Sequence, residues 1–396
     1  MREKAVILAA GEGQRLRPFT RFKPKVMIPI ANKPILQYTI EALKRNGIMD
    51  IVVVVGYRKE QVLDYFGSGE RFGVNIDYVV QSQQLGTAHA LKQAKGKTGD
   101  NFIVVAGDVI GENISEADTI AALTQGEDSC LLVKEQKDSD KRGTILIEDG
   151  VVKEILEEPK QAATNIINTG LYRLTRDVFD FIEQETDLPT VLNKMIQHGH
   201  IIRAHTTEGV LLDVVYPWDI LKLNDIALSR ISPTIGGTVD KEVVFKGLVS
   251  IGEGSIVRSN TCIIGPVVIG ENCDIGPGVY IFPGTSIGDH VCISPLTEIR
   301  NSVIGDNVEI GSNSSIHDSI IDRGCVLTGH LIARSGKAEL KVDEQYHEVV
   351  MGAMIGENCS IEECTIIRPG AMVGNNSKIA AFKIIREHIP DESLVI

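Results

Sequence analysis

The second half of the chain carries an aliphatic residue at every sixth position. Ile251, Val257, Ile263, Ile269, Ile275, Ile281, Ile287, Ile293 and Ile299 are nine consecutive hits at one spacing. A five-residue step leads to Ile304, Ile310 and Ile316, and a second short step leads to Ile321 and Leu327. Glycine often comes next, as at Gly270, Gly276, Gly288, Gly305 and Gly311. A period of six is neither the helical 3.6 nor the alternation of an ordinary strand. It fits a coil in which every sixth side chain points inward and successive coils stack as strands ~4.8 Å apart. The repeat therefore predicts a β-helix. It returns at Ile355, Ile361, Ile367, Val373 and Ile379. The polar interval from about 331 to 351 breaks the register and is expected as a loop thrown out of the prism. The expected layout is a first domain over 1–227, a linker at 228–237, the β-helix over 238–385 and a tail over 386–396.

The first half reads differently. A short apolar run from Ala5 to Ala10 suits a buried strand and stops at Gly11 and Gly13. Two glycines in three residues let the backbone turn tightly and present its N–H groups to a ligand. Arg15 and Lys25 add fixed positive charge, so the stretch from Ala5 to Pro34 reads as a polyphosphate-binding place. It is not the dinucleotide fingerprint, because the third glycine of that pattern is replaced by Leu16. Nor is it a P-loop, because Gly96-Lys97-Thr98 would need its first glycine at Leu91. Helices are expected over 35–46, 58–66 and 87–94, between strands at 51–55, 76–80 and 102–106. Such alternation predicts a mainly parallel sheet, with ligands beyond the carboxyl ends of its strands. The glycine loop, Gln81 and Asp108 all follow strands and can face one site.

The pattern Gly-x-Gly-x-Arg-x-x-Pro with a downstream Lys23-Pro24-Lys25 resembles the signature of the sugar-1-phosphate nucleotidylyltransferases. The string Leu85-Gly86-Thr87-Ala88-His89-Ala90 is similar to the uridylyltransferases for N-acetylglucosamine-1-phosphate. With the repeat, the layout resembles archaeal bifunctional nucleotidylyltransferase/acetyltransferases. That resemblance implies an α/β fold: a Rossmann-like nucleotidyltransferase domain followed by a left-handed parallel β-helix of hexapeptide repeats. It also implies an enzyme that forms a UDP- or dTDP-sugar and pyrophosphate from a pyrimidine nucleoside triphosphate and glucose- or (N-acetyl)glucosamine-1-phosphate. Arg15, Lys25 and Asp108 would be catalytic. Gly11, Gly13, Gln81, Gly86 and Thr87 would bind the nucleotide, and Gly143, Glu157 and Asn168 the sugar. Asp108 and Asp213 would hold Mg2+. A glutamine amide suits uracil or thymine because it can donate and accept together. The plainer alternatives are a polar turn at Gln81, a helix cap at Asp108 and solvated loop residues at the sugar positions.

The chain departs from this family in places. Glu158 stands where many members have lysine, and Val215 where glycine is usual. A second activity, amino-sugar-1-phosphate acetylation from acetyl-CoA, would need a base, and His317, His330 and His347 lie near the interrupted coils. The family's His-x-x-Tyr falls on Ser312 and Ser315, and its Asn-Leu-Arg on Ala333-Arg334-Ser335. The competing reading is a non-catalytic or regulatory assembly subunit of the same two-domain layout.

Composition sets the remaining bounds. A net charge of −13 argues against nucleic-acid binding. No apolar run reaches the ~18 residues of a membrane span, and the first strand begins almost at once, so a cytoplasmic protein is expected. The seven cysteines are odd in number and contain no Cys-x-x-Cys pair, so they read as small reduced fillers. Flat prism faces cannot all be charged, and related domains trimerise, so a homotrimer is expected.

Overall fold

The computed structural model describes residues 3–111, 129–135, 143–156, 164–207, 211–343 and 345–396. The chain forms two compact units. One contains residues 1–12, 23–27 and 35–213, and the other 13–22, 28–34 and 214–396.

In the first unit the β-branched runs become strands, because a covered parallel ladder buries them on both faces. β1 (Lys4–Ala9), β2 (Asp50–Val55), β3 (Asn75–Val80) and β4 (Asn101–Ala106) lie in the order β3-β2-β1-β4, all parallel. Leu8 pairs with both Val54 and Ala106, so these strands end together on one side. Between them run α1 (Ile35–Arg45), α2 (Lys59–Phe66) and α3 (Thr87–Gln93). Alternate strand residues enter separate cores. Ile7, Val53 and Ile103 join Leu36 and Ile40, while Val6, Val52 and Val104 join Leu91.

The other strands are β5 (Val109–Gly111), β6 (Ser129–Glu135), β7 (Thr144–Glu148), β8 (Val151–Leu156), β9 (Ile166–Thr175), β10 (Ile202–Thr206) and β11 (Leu211–Asp213). The sheet continues past β4 as β9-β6-β10-β8-β7, and β9 is antiparallel to both β4 and β6. The expected parallel sheet thus holds through the first four strands; beyond them the sheet is mixed, with β10 parallel to β6 and the other pairings antiparallel. α4 (Val178–Phe181) and α5 (Leu188–Gln197) complete this unit, with the Asp187 carboxylate accepting from Thr190 N–H at the start of α5.

In the second unit the hexapeptide pattern becomes three parallel sheets of eight, nine and eight strands, a left-handed β-helix. Each inward aliphatic meets its counterpart one coil on: Ile251 pairs with Ile269, Ile269 with Ile287 and Ile287 with Ile304. The five-residue steps are absorbed as coils one residue shorter, with no loss of ladder. Gly254, Asn272, His290, Asn307, Gly324, Asn358 and Asn376 turn one corner of successive coils with φ between +54° and +71°. Glycine and asparagine tolerate that left-handed corner best. The glycine after each aliphatic has a separate reason: a Cβ on Gly252 would lie 2.6 Å from the Gly270 backbone of the next coil. Cys273, Cys325 and Cys359 are buried, and each donates its thiol to a glycine carbonyl of the following coil at 3.1 Å. The first rung, Thr234–Ile235, lies in the segment read as a linker, and the last, Leu394–Val395, in the segment read as a tail. The interruption is a hairpin of Gly336–Val342 paired with Gln345–Met351. No helix among the described residues is long and apolar enough to cross a membrane.

α6 (Asp219–Leu228) carries Asn224, which is fully buried. Its Oδ1 accepts from Ala31 N–H at 2.8 Å and Ser286 Oγ at 2.9 Å, and its Nδ2 donates to the Gly284 carbonyl at 2.9 Å. Asn224→Leu strands all three partners, at about 1–3 kcal/mol for each group left unsatisfied. The expected result is a lower urea midpoint followed by fluorescence of Trp218, the chain's single tryptophan. An unchanged midpoint would show that these bonds contribute nothing.

Candidate active site

In the first unit the site begins where β1 and β4 end. Gly107 N–H donates to the Leu8 carbonyl at 2.9 Å. A Cβ on Gly107 would stand 3.0 Å from that oxygen and 3.1 Å from both Ala9 Cβ and Val26 Cγ1. A side chain there would make the strand ends or the 25–27 turn give way by a few tenths of an ångström. The result is that Lys25 Nζ forms an ion pair with the Asp108 carboxylate, both side chains being mostly covered. Asp213 comes to the same ladder, since β11 pairs with β5 and sets Asp213 opposite Val109. No group of three or more His, Cys, Asp or Glu residues gathers among the described residues. Mg2+ takes one or two carboxylates and completes its shell with water and phosphate oxygens, so it needs no larger acidic cluster.

Gln81 follows β3 and is buried. Its Nε2 donates to the Gly86 carbonyl at 3.0 Å and lies 3.0 Å from His89 Nδ1. A carbonyl can only accept, so these contacts fix which way the amide points. His89, on α3, is therefore a support for Gln81. Gly86 has φ +116°, and a Cβ there would lie 2.2 Å from the Thr186 carbonyl oxygen. Thr87 Oγ1 accepts from Leu188 N–H at 2.8 Å, which anchors the start of α5.

Gly143 and Asn168 come together, with Asn168 N–H donating to the Gly143 carbonyl at 3.0 Å. The Asn168 amide accepts from Gly170 N–H at 3.0 Å and donates to the Tyr172 hydroxyl at 2.8 Å. Glu157 and Glu158 lie outside the described residues. Gly11 is exposed, and a Cβ there would meet nothing. Gly13 is in the second unit with φ +78°, and its carbonyl accepts from Thr20 Oγ1 at 2.8 Å. Arg15 follows it, and its Nε donates to Asp343 Oδ2 of the hairpin at 2.5 Å. No local sequence signal gave the Arg15–Asp343 pair, because the partners are joined only through the folded coil stack.

A model of the Nucleotidyl transferase family matches residues 4–216, more than half of the chain. The chain belongs to that family. A model named the GMPPB C-terminal domain matches residues 263–333. The nucleotidyl transferase is 35% identical to Bifunctional protein GlmU of Methanococcus maripaludis, over 99% of this chain and 96% of that protein. It is 31% identical to the bifunctional sugar-1-phosphate nucleotidylyltransferase/acetyltransferase of Sulfurisphaera tokodaii, over 93% of each chain. Among solved structures, a Bacillus anthracis protein described as a glucose-1-phosphate thymidylyltransferase superposes with a TM-score of 0.54 at 26% identity, covering 59% of this chain and 98% of that one.

The three histidines of the interrupted coils differ. His330 is exposed at a corner with φ +51°. The His347 ring packs against Tyr216 and Trp218, with centroids 4.6 and 5.3 Å away. His317 faces outward from the prism, its Nε2 3.2 Å from both Glu298 Oε1 and Ser315 Oγ. Burial holds the His317 imidazole below its ordinary value, and the Arg300 and Arg334 charges add to this against the opposing pull of Glu298. His317 thus combines a carboxylate partner with a bias toward the neutral form.

Two outcomes follow in this nucleotidyl transferase. Gly107→Ala pushes apart the elements carrying Lys25 and Asp108, so the rate of nucleotidyl transfer should fall at least tenfold while stability drops by about 1–3 kcal/mol. A normal rate would separate the close approach from function. His317 should titrate by NMR below its ordinary 6.5. Because the unfolded chain binds that proton first, its contribution to stability is present above pH about 6.5 and is lost as pH falls toward the folded value. A midpoint at or above 6.5 would contradict the burial argument.

Proposed function

We propose that this enzyme joins a pyrimidine nucleoside triphosphate to a hexose-1-phosphate, glucose-1-phosphate or its (N-acetyl)amino form, and releases pyrophosphate. The observation that carries the reading is the Lys25–Asp108 pair at the carboxyl ends of β1 and β4, with Asp213 on the adjoining ladder. The sugar phosphate oxygen is already ionised at neutral pH, so it attacks the α-phosphorus without a general base. The in-line displacement then depends on positioning and on neutralising charge. Lys25 holds the attacking phosphate and the α-phosphate together, and Arg15 holds the β- and γ-phosphates. Asp108 and Asp213 would hold Mg2+, which would supply neutralising charge to the phosphates. Gln81, braced by Gly86 and His89, reads the base edge; Gly11, Gly13, Gly86 and Thr87 shape the nucleotide cradle. Gly143, Glu157 and Asn168 serve the sugar hydroxyls. Relatives named glucose-1-phosphate thymidylyltransferase support the pyrimidine.

A second reaction is supported by the bifunctional names of the relatives and by the neutral bias of His317. In it an amino-sugar phosphate attacks the thioester of acetyl-CoA on the β-helix, and a histidine takes the amine proton. The assembly we favour is a homotrimer built on the prism faces.

The test is pyrophosphate release with Mg2+, crossing UTP, dTTP and ATP with glucose-1-phosphate and N-acetylglucosamine-1-phosphate. Turnover is expected with a pyrimidine triphosphate, and Asp108→Ala should lower kcat by roughly 100-fold or more. No release with any pair would favour the assembly-subunit reading. Near-normal turnover by Asp108→Ala would remove the metal assignment. Thiol release from acetyl-CoA with glucosamine-1-phosphate checks the second activity.

A further inference from the structure

The strand that carries Asn168 breaks its ladder just past that residue. On β9, Asn168 pairs with Val133 of β6, and the next residue to pair with β6 is Tyr172, opposite Leu131. The residues between them on β9 outnumber those on β6, a bulge of the kind that re-aims a side chain. The bulge closes on itself. Thr169 Oγ1 donates to the Leu132 carbonyl at 2.7 Å. Gly170 takes φ +76°, and its N–H donates to Asn168 Oδ1 at 3.0 Å. Tyr172 pairs with Val104 of β4 on its other side, and its ring is buried in the same core as Leu131 and Leu174.

That core does not call for the Tyr172 hydroxyl. A phenylalanine ring fills the same space, and the oxygen adds a polar group that must find partners when buried. Asn168 is one such partner, its Nδ2 donating to the hydroxyl at 2.8 Å. An amide carries two N–H bonds and two lone pairs on oxygen. Gly170 N–H can only donate, so it fixes which end of the Asn168 amide is oxygen, and Tyr172 holds the nitrogen end. Among the described residues this leaves Asn168 one side-chain N–H and one lone pair. Together they match a sugar hydroxyl, which donates and accepts. The Asn168 backbone is fixed as well, by its bond to the Gly143 carbonyl at 3.0 Å.

We propose that Tyr172 is a positioning residue for the sugar phosphate: its hydroxyl holds the Asn168 amide in the orientation whose spare N–H and lone pair meet a hexose hydroxyl. The proposal rests on the reading that Asn168 serves the sugar. Tyr172 acts through Asn168 alone.

The test uses the full-length protein with glucose-1-phosphate and N-acetylglucosamine-1-phosphate. Tyr172→Phe should raise the KM for the sugar phosphate about fivefold, the worth of one hydrogen bond, and leave the KM for the nucleotide within about twofold. Asn168→Ala should raise the sugar KM further. The double variant should then match Asn168→Ala alone, because a hydroxyl that acts through an amide has no task once the amide is gone. A merely structural tyrosine would instead give losses that add, and would affect both substrates. Thermal melts followed by circular dichroism check that each variant is folded. Additive losses, or an unchanged sugar KM in Tyr172→Phe, would overturn the proposal. Calorimetric titration with the same sugar phosphates, without nucleotide, keeps the two readings apart. Binding that Tyr172→Phe weakens only while Asn168 is present, in a protein without turnover, supports the positioning role and counts against the transferase. Turnover with a sugar KM indifferent to Tyr172 does the reverse, and neither binding nor turnover would remove both.

Discussion

A missing methyl group at Gly107 governs how the first unit builds its chemistry. Parallel strands deliver their carboxyl ends to one side, but parallel delivery alone leaves neighbouring ends a strand spacing apart. The 2.9 Å bond from Gly107 to the Leu8 carbonyl extends the ladder by one step, and Val26 lies close over the same spot, so a third piece of chain meets the two strand ends there. That piece carries Lys25. An ammonium and a carboxylate this covered lose part of their hydration and recover it in each other. The pair is then charged, positioned and short of water, a state in which added phosphate is strongly felt. Backbone packing, and not an intrinsically unusual side chain, creates the reactive corner.

The nucleotide side follows the same logic with neutral groups. Gln81 could turn its amide either way in isolation. The Gly86 carbonyl removes that freedom by accepting, and His89 Nδ1 secures the same amide nitrogen from α3. Gly86 can hold its place only because no Cβ meets Thr186. An amide fixed in this way has its nitrogen committed to Gly86 and His89 and its oxygen left outside those contacts. Thr87 holds α5 against α3 through Leu188, and the hydroxyl therefore braces the cradle whatever it does for a nucleotide.

What was legible in the sequence was what is local. The six-residue period states the coil, because each inward aliphatic meets another a fixed distance along the chain, and the polar interval marked the hairpin. The strand-to-glycine stop marked the loop of Gly11 and Gly13. The mixed half of the sheet was not legible, since nothing in Ile166–Thr175 says that it will lie between Asn101–Ala106 and Ser129–Glu135. His89 was passed over because its spacing is that of any helical residue; only the Gln81 contact gives it a task. Asp343 was hidden for a stronger reason. Its partner Arg15 is 328 residues away, and a pattern read along the chain has no access to such a separation.

The solenoid explains why an insertion can acquire such a partner. Each coil is satisfied by its neighbours, so Ile320–Ile321 pairs with Met354–Ile355 as though the residues between them were absent. The hairpin thus leaves the stack at no cost to its register. Its own ladder supplies stiffness, and the His347–Tyr216–Trp218 contacts aim it. Stiffness matters because a flexible loop would lose entropy in holding one carboxylate on one guanidinium, and an exposed ion pair is too weak to offset that loss. A pre-ordered arm avoids most of the cost, which is why an interaction as modest as Asp343 on Arg15 can persist.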